Sequence, residues 1–211
     1  MKTNNYGSQV LRGAALIAGL AAVLGNAVAG GVESAKQPVK PVVVRLAGED
    51  YPATLLPEVR GAASLSMDAF AREVGGALHQ HSAETGTEAC AMLCRNPAGA
   101  WGASPISIGS HIACPIIEKC PEEMAGIGDG IHSHPRKGSY VVNRADKVVL
   151  RQRMYTIGTR AETGNTRVFS REDFAGGPGY MVTSGGRLFY QNGPRSVREV
   201  HSAGIASATP N

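Results

Sequence analysis

Four cysteines constrain this chain more than any other feature. Cys90, Cys94, Cys114 and Cys120 are its whole complement, and all lie well downstream of an N-terminal leader. The leader, "MKTNNYGSQVLRGAALIAGLAAVLGNAVAGG", begins with the cations Lys2 and Arg12. It runs into an almost unbroken small-apolar stretch from Ala14 to Val28 and reaches a small-x-small triplet at Ala27, Val28 and Ala29. That order is the pattern of a secretory signal peptide spanning 1–29, cleaved near Ala29. The apolar stretch is shorter than the roughly 20 residues of a spanning helix, and it lacks large side chains. The expectation is therefore an exported protein, periplasmic or secreted, with no stable membrane span after cleavage. An even number of cysteines in such a chain points to disulfides. Four allow three pairings. If residues 90–94 form a strand, Cys90 and Cys94 stand about 13 Å apart along it, whereas a disulfide needs Cα atoms within about 7 Å. The other two pairings stay open. Zinc ligation by the cysteines ranks low, since there is no C-x-x-C pair.

Removing the leader leaves about 180 residues, enough for one good core. The whole chain carries 21 Lys and Arg against 17 Asp and Glu. Losing Lys2 and Arg12 brings these closer to balance, so charge gives no reason to expect a nucleic-acid partner. Residues 30–62 are proline-rich and read as an arm or linker, with one short strand at 42–46. From Ser66 to Gln80, Phe70, Val74, Ala77 and Leu78 recur at helical spacing, with Ser66 as N-cap. "TEACAMLC" at 87–94 reads as a buried strand. "ASPISIGSHIAC" at 103–114 alternates in period two and reads as another. A third ends at "GIHSH". Asn143 to Met154 reads as a helix capped by Asn143, and "VFSREDFAGGPG" as a short helical start. Apolar arms around Ser184, Gly185 and Gly186 predict a hairpin. The tail at 198–211 is small and polar and reads as disordered. The elements predict a mixed α/β (α+β) domain over residues 63–197.

His132 and His134 stand at alternate positions ahead of Pro135. In a strand both imidazoles point to one face, where they could hold one divalent ion near a sheet edge. Catalytic zinc is commonly held this way, with a position left open for water. A third ligand and a base are then needed, and Glu84, Glu88, Glu118, Asp129, Asp146 and Asp173 are the candidate carboxylates. His79, His81, His111 and His201 have no comparable partners and read as surface or structural.

"HSHP" at 132–135, the glutamate in "EACAMLC" at 88–94 and "SRED" at 170–173 together resemble the JAMM/MPN zinc metallopeptidase motif. That pattern is Glu, then His-x-His-Pro, then Ser-x-x-Asp. "YMVTSGGRLFYQ" resembles the strand pair that follows the aspartate in bacterial, toxin-associated JAB-like domains. The resemblance covers about residues 65–193. It implies a cytidine-deaminase-like sheet flanked by helices, with Zn2+ held by His132, His134 and Asp173. It also implies Glu88 as general base toward a zinc-activated water and Ser170 as oxyanion stabiliser. Such an enzyme hydrolyses an amide or isopeptide bond in a protein, peptide or cell-wall peptide. The alternative is a non-catalytic relative that binds a partner, within a toxin or effector system.

The spacing departs from the family pattern. Residues 136–169 separate Pro135 from Ser170, where the family has only a few residues, and an insertion of this kind costs little loop-closure free energy. Asn143-Arg144-Ala145-Asp146 lies nearer the usual distance, so Asp146 competes with Asp173 as third ligand. Asp173 is preferred, because a serine precedes it and the "YMVT" strand follows. The insertion is rich in Arg and Lys, and reads first as a solvated face and second as a basic rim for an acidic partner.

Overall fold

The structure is a computed structural model, and it describes residues 41–46, 48–150 and 156–201. The expected signal peptide, the start of the arm, the end of the 143–154 helix and the tail beyond 201 lie outside the described residues.

The architecture is mixed α+β. In chain order the elements are β1 (Pro41–Leu46), β2 (Glu49–Leu55), β3 (Val59–Gly61), α1 (Met67–Thr85), β4 (Cys90–Arg95), β5 (Trp101–Ala103) and β6 (Ile106–Ser107). There follow β7 (Ala125–Ser133), β8 (Ser139–Val141), α2 (Arg144–Leu150), β9 (Arg160–Glu162), α3 (Arg171–Ala175), β10 (Gly179–Val182), β11 (Leu188–Gln191) and β12 (Arg198–Glu199). The main sheet runs β1-β2-β6-β4-β7-β10-β11-β12, with β5 joining β3 to β4. Its pairings are antiparallel except β7 with β10. β8 and β9 form a separate ribbon inside the expected insertion.

α1 begins where Ser66 Oγ accepts from the Ala69 N–H at 3.2 Å. It ends where Gly86 takes a left-handed φ of 72°, which favours glycine. No Gly or Pro lies between Gln80 and Gly86, so the helix outruns the predicted end at Gln80. It buries Phe70, Ala71, Val74 and Leu78, and each large apolar side chain contributes about 1.5–3 kcal/mol. At Gly75 the helix faces Ile131, Val182 and Leu188 on β7, β10 and β11, at a distance where a Cβ would make ordinary contact.

The strand period of two sorts β4 between two layers. Ala89, Ala91 and Leu93 join the core cluster that contains α1. Cys90 belongs to the second cluster, with Val44, Ile106 and Ala145. Both cysteines of β4 therefore bond outward: Cys90 to Cys114 and Cys94 to Cys120, with Cα separations of 5.7 and 5.8 Å. The within-strand pairing is absent, as the geometry requires. The two bonds staple the irregular segment 108–121 onto the sheet.

Three expectations need correction. Residues 41–61 are not an arm with one strand. They form β1, β2 and β3, and β2 pairs with β6 at Thr54 and Leu55. The prolines that suggested a linker sit where a strand tolerates them: Pro41 opens β1, and Pro52 lies in the part of β2 paired only with β1. Residues 103–114 do not form one strand, because Gly109 turns left-handed with φ 74°. Ser107 and Ser110 hydroxyls also fold back onto the Gly109 and Ile112 N–H groups. The tail begins later than Arg198, since Arg198–Glu199 pairs with β11 and Val200 is buried.

Candidate metal centre and cleft

β7 runs between β4 and β10, and its C-terminal end carries the histidines. His132 sits opposite Cys90 on one side and Met181 on the other. His134 lies one residue past the strand and donates its N–H to the Val182 carbonyl at 2.9 Å. Ser133 donates to the Ala89 carbonyl, so the β4–β7 register extends to place Glu88 across from His134. Glu88, Cys90, His132 and His134 thus share a face by alternation. The Ser133 hydroxyl, on the opposite face, meets Ser82 of α1 at 2.6 Å.

α3 brings the carboxylate. Its start is a reciprocal cap: Asp173 N–H donates to Ser170 Oγ at 3.1 Å, and Ser170 N–H donates to Asp173 Oδ2 at 2.6 Å. The capping reading and the ligand reading of Ser170 and Asp173 are compatible, because the cap fixes the carboxyl group. Gln191, buried on β11, donates to the main-chain carbonyls of Asp173 and Gly177 and holds α3 against the hairpin.

These elements bring three donor groups together. His132 Nε2 lies 3.1 Å from His134 Nε2, 3.4 Å separates His132 Nε2 from Asp173 Oδ1, and 3.9 Å separates His134 Nε2 from Asp173 Oδ2. Zinc bonds of about 2.0–2.2 Å at tetrahedral angles place donor atoms about 3.3–3.6 Å apart; the two distances from His132 Nε2 lie close to that edge, and the third is longer and runs to the other Asp173 oxygen. Among the described residues this is the one group of three or more His, Cys, Asp or Glu side chains close enough to share an ion. The donor set is the one borderline divalent metals take.

The electrostatics keep the imidazoles neutral. Burial pushes His132 down to about 4, reinforced by the neighbouring His134 and opposed by Asp173. Burial lowers His134 as well, against Asp173 and the Thr166 backbone. The Thr166 contact falls short of a full hydrogen bond, since His134 Nδ1 is enclosed without one. Neutral imidazole is the ligating form. Burial, then the charges of Asp173 and Asp146, hold Glu88 well above the usual carboxylate range.

Glu88, His132, His134, Ser170 and Asp173 all line one cleft of about 630 Å³. One wall is the stapled segment His111–Ile116, and the other includes Thr163–Thr166 and Phe169. Phe169 and His132 pack edge to face, with ring centroids 6.2 Å apart.

The other carboxylate candidates are elsewhere. Asp146 is wholly buried. Its Oδ1 accepts from Ser110 Oγ and the His111 N–H, and its Oδ2 from His111 Nδ1 and the Asn143 N–H, all at 2.8–2.9 Å. It is a strut between the 108–121 segment and the start of α2, and it lies outside the histidine cluster. Glu84 caps nothing in the cleft and accepts from Gln80 on α1. His79 and His81 contact Ser184 and Thr87, and the His201 carbonyl accepts from Arg72. His111 does have a carboxylate partner, Asp146, which its isolation in the sequence concealed. Comparison of the chain with protein-family models, with curated proteins and with solved structures finds no match.

Proposed function

We propose that the protein is an exported, JAMM-like zinc metallopeptidase that hydrolyses an amide or isopeptide bond in a protein, peptide or cell-wall peptide. The observation that carries this reading is the triangle of His132, His134 and Asp173 with the buried Glu88 carboxyl on the same cleft. His132, His134 and Asp173 would hold the ion. Zinc held there supplies Lewis acidity, polarising a carbonyl and easing deprotonation of a water.

The remaining chemistry belongs to the side chains. Glu88, held well above the usual carboxylate range by burial, takes a proton from the attacking water. It returns that proton to the leaving nitrogen, so that a C–O bond forms as the C–N bond breaks. Ser170 Oγ already accepts from Asp173 N–H, which leaves its own hydrogen to donate to a developing oxyanion. Two disulfides fit an oxidising, exported compartment, and among the described residues no helix is long and apolar enough to cross a membrane.

The test offers purified protein peptide, isopeptide and cell-wall substrates with zinc present. One class should be cut, and Glu88→Gln should abolish cutting while keeping the metal. Full activity in Glu88→Gln removes Glu88 as the base. Zinc binding without cleavage of any class favours the partner-binding alternative.

A further inference from the structure

We infer that His111 is a substrate-contacting residue of the cleft, whose Nε2 accepts a hydrogen bond from a main-chain N–H of an extended peptide. This rests on the hydrolase reading above. Asp146 fixes the imidazole. Its two oxygens already accept from two main-chain N–H groups and a serine hydroxyl, so the contact of Asp146 Oδ2 with His111 Nδ1 at 2.9 Å is a donation by the imidazole. In the neutral ring the lone pair then sits on Nε2. The ring cannot swing away, because it stacks on Tyr140 with centroids 4.7 Å apart.

Nε2 makes no hydrogen bond among the described residues, and the side chain, pinned by Nδ1 to the buried Asp146, is 20% exposed and lines the cleft. A structural tie would need only the Nδ1 side. The wall beyond is apolar, with Ile112, Ala113, Pro115 and Ile116, so His111 Nε2 is the polar side-chain atom that this wall presents. One oriented polar atom on an apolar wall is how a cleft fixes the register of a chain. The placement is close to the chemistry. The Glu88 N–H donates to the carbonyl of Ser110, the residue before His111, at 2.7 Å. Ser107 Oγ grips the Glu88 carbonyl at 2.6 Å. The ligand class is therefore a secondary amide in a peptide whose scissile carbonyl lies at the His132, His134 and Asp173 cluster.

The experiment measures binding to the zinc-loaded protein by calorimetry, with no turnover required. The probes are acetohydroxamate, trialanine hydroxamate and the singly N-methylated trialanine hydroxamates. Trialanine hydroxamate should bind more tightly than acetohydroxamate. One N-methyl analogue should bind about five- to tenfold more weakly, the worth of one neutral hydrogen bond. His111→Phe keeps the stack on Tyr140 but has no Nε2. It should lose the same factor for the parent probe and be indifferent to that methylation. Wild type carrying ¹⁵N-labelled histidine gives a readout that needs no variant. The His111 Nε2 resonance should shift with trialanine hydroxamate and stay in place with acetohydroxamate. If every analogue binds both proteins alike and the resonance does not move, the His111 assignment is overturned while the metal site stands. If no hydroxamate binds at all, the hydrolase reading fails and takes this inference with it.

Discussion

Asp146 and Asp173 compete for one role in the sequence, and removing each in turn separates them. Asp146→Ala deletes a wholly buried carboxylate with four donors. The Ser110 hydroxyl can rotate to a new acceptor, and His111 can carry its proton on Nε2 instead. The main-chain N–H groups of His111 and Asn143 cannot, and each orphaned buried donor costs about 1–3 kcal/mol. The expected loss is about 3–5 kcal/mol, the range for removing one member of a buried charged network. That is a large share of a typical folding free energy of about 5–15 kcal/mol. Asp173→Ala removes only a partly exposed helix cap, worth about 1 kcal/mol. The assay is urea unfolding of metal-free protein, so that bound ion does not contribute, followed by zinc titration of the folded variants. Asp146→Ala should unfold at markedly lower urea and, where folded, still take up zinc. Asp173→Ala should unfold near wild type and lose zinc affinity by at least tenfold. If Asp146→Ala is stable and fails to bind zinc, the strut and the ligand have been exchanged and the reasoning is wrong.

Glu88→Gln should raise the stability of the metal-free protein at pH 7. A carboxyl held above its unfolded value contributes stability present below that value and lost as pH rises toward the folded one. Calorimetric melting at pH 7 checks the sign. His132 has the opposite linkage: depressed to about 4, it contributes stability that is full above about pH 6.5 and falls as pH drops toward 4. Metal-free wild type should therefore show a steeper loss of stability across that window than metal-free His132→Asn. Replacing either cysteine pair by serine should cost about 3.5 kcal/mol on the chain-entropy model for loops of 24 and 26 residues. Losing Cys90–Cys114 should also weaken hydroxamate binding, because that bond holds a cleft wall, and the same titration reads it.

What the sequence disclosed was mostly local. Ser66 capping α1, the hairpin around Gly185 and the alternation of His132 with His134 are short-range patterns, and the structure contains each of them. The capping box at Ser170 also signalled that Asp173 is held rigidly. Longer-range pairings left no local trace. His111 and Asp146 are far apart in the chain and meet through the tertiary fold, so neither could be paired in advance. The strand expected at 42–46 is β1, whereas β2 was concealed by Pro52, whose compatibility with a strand depends on which edge faces a neighbour. Period-two alternation over 103–114 was misleading because a serine that bonds its own backbone can imitate the polar face of a strand.

The most direct test is the zinc content of purified protein, by elemental analysis, for wild type and His132→Ala. The prediction is one zinc per chain in wild type and none in the variant, with both chains folded by circular dichroism. Zinc retained by His132→Ala, or none taken up by wild type after incubation with zinc, would contradict a metal centre at this cleft.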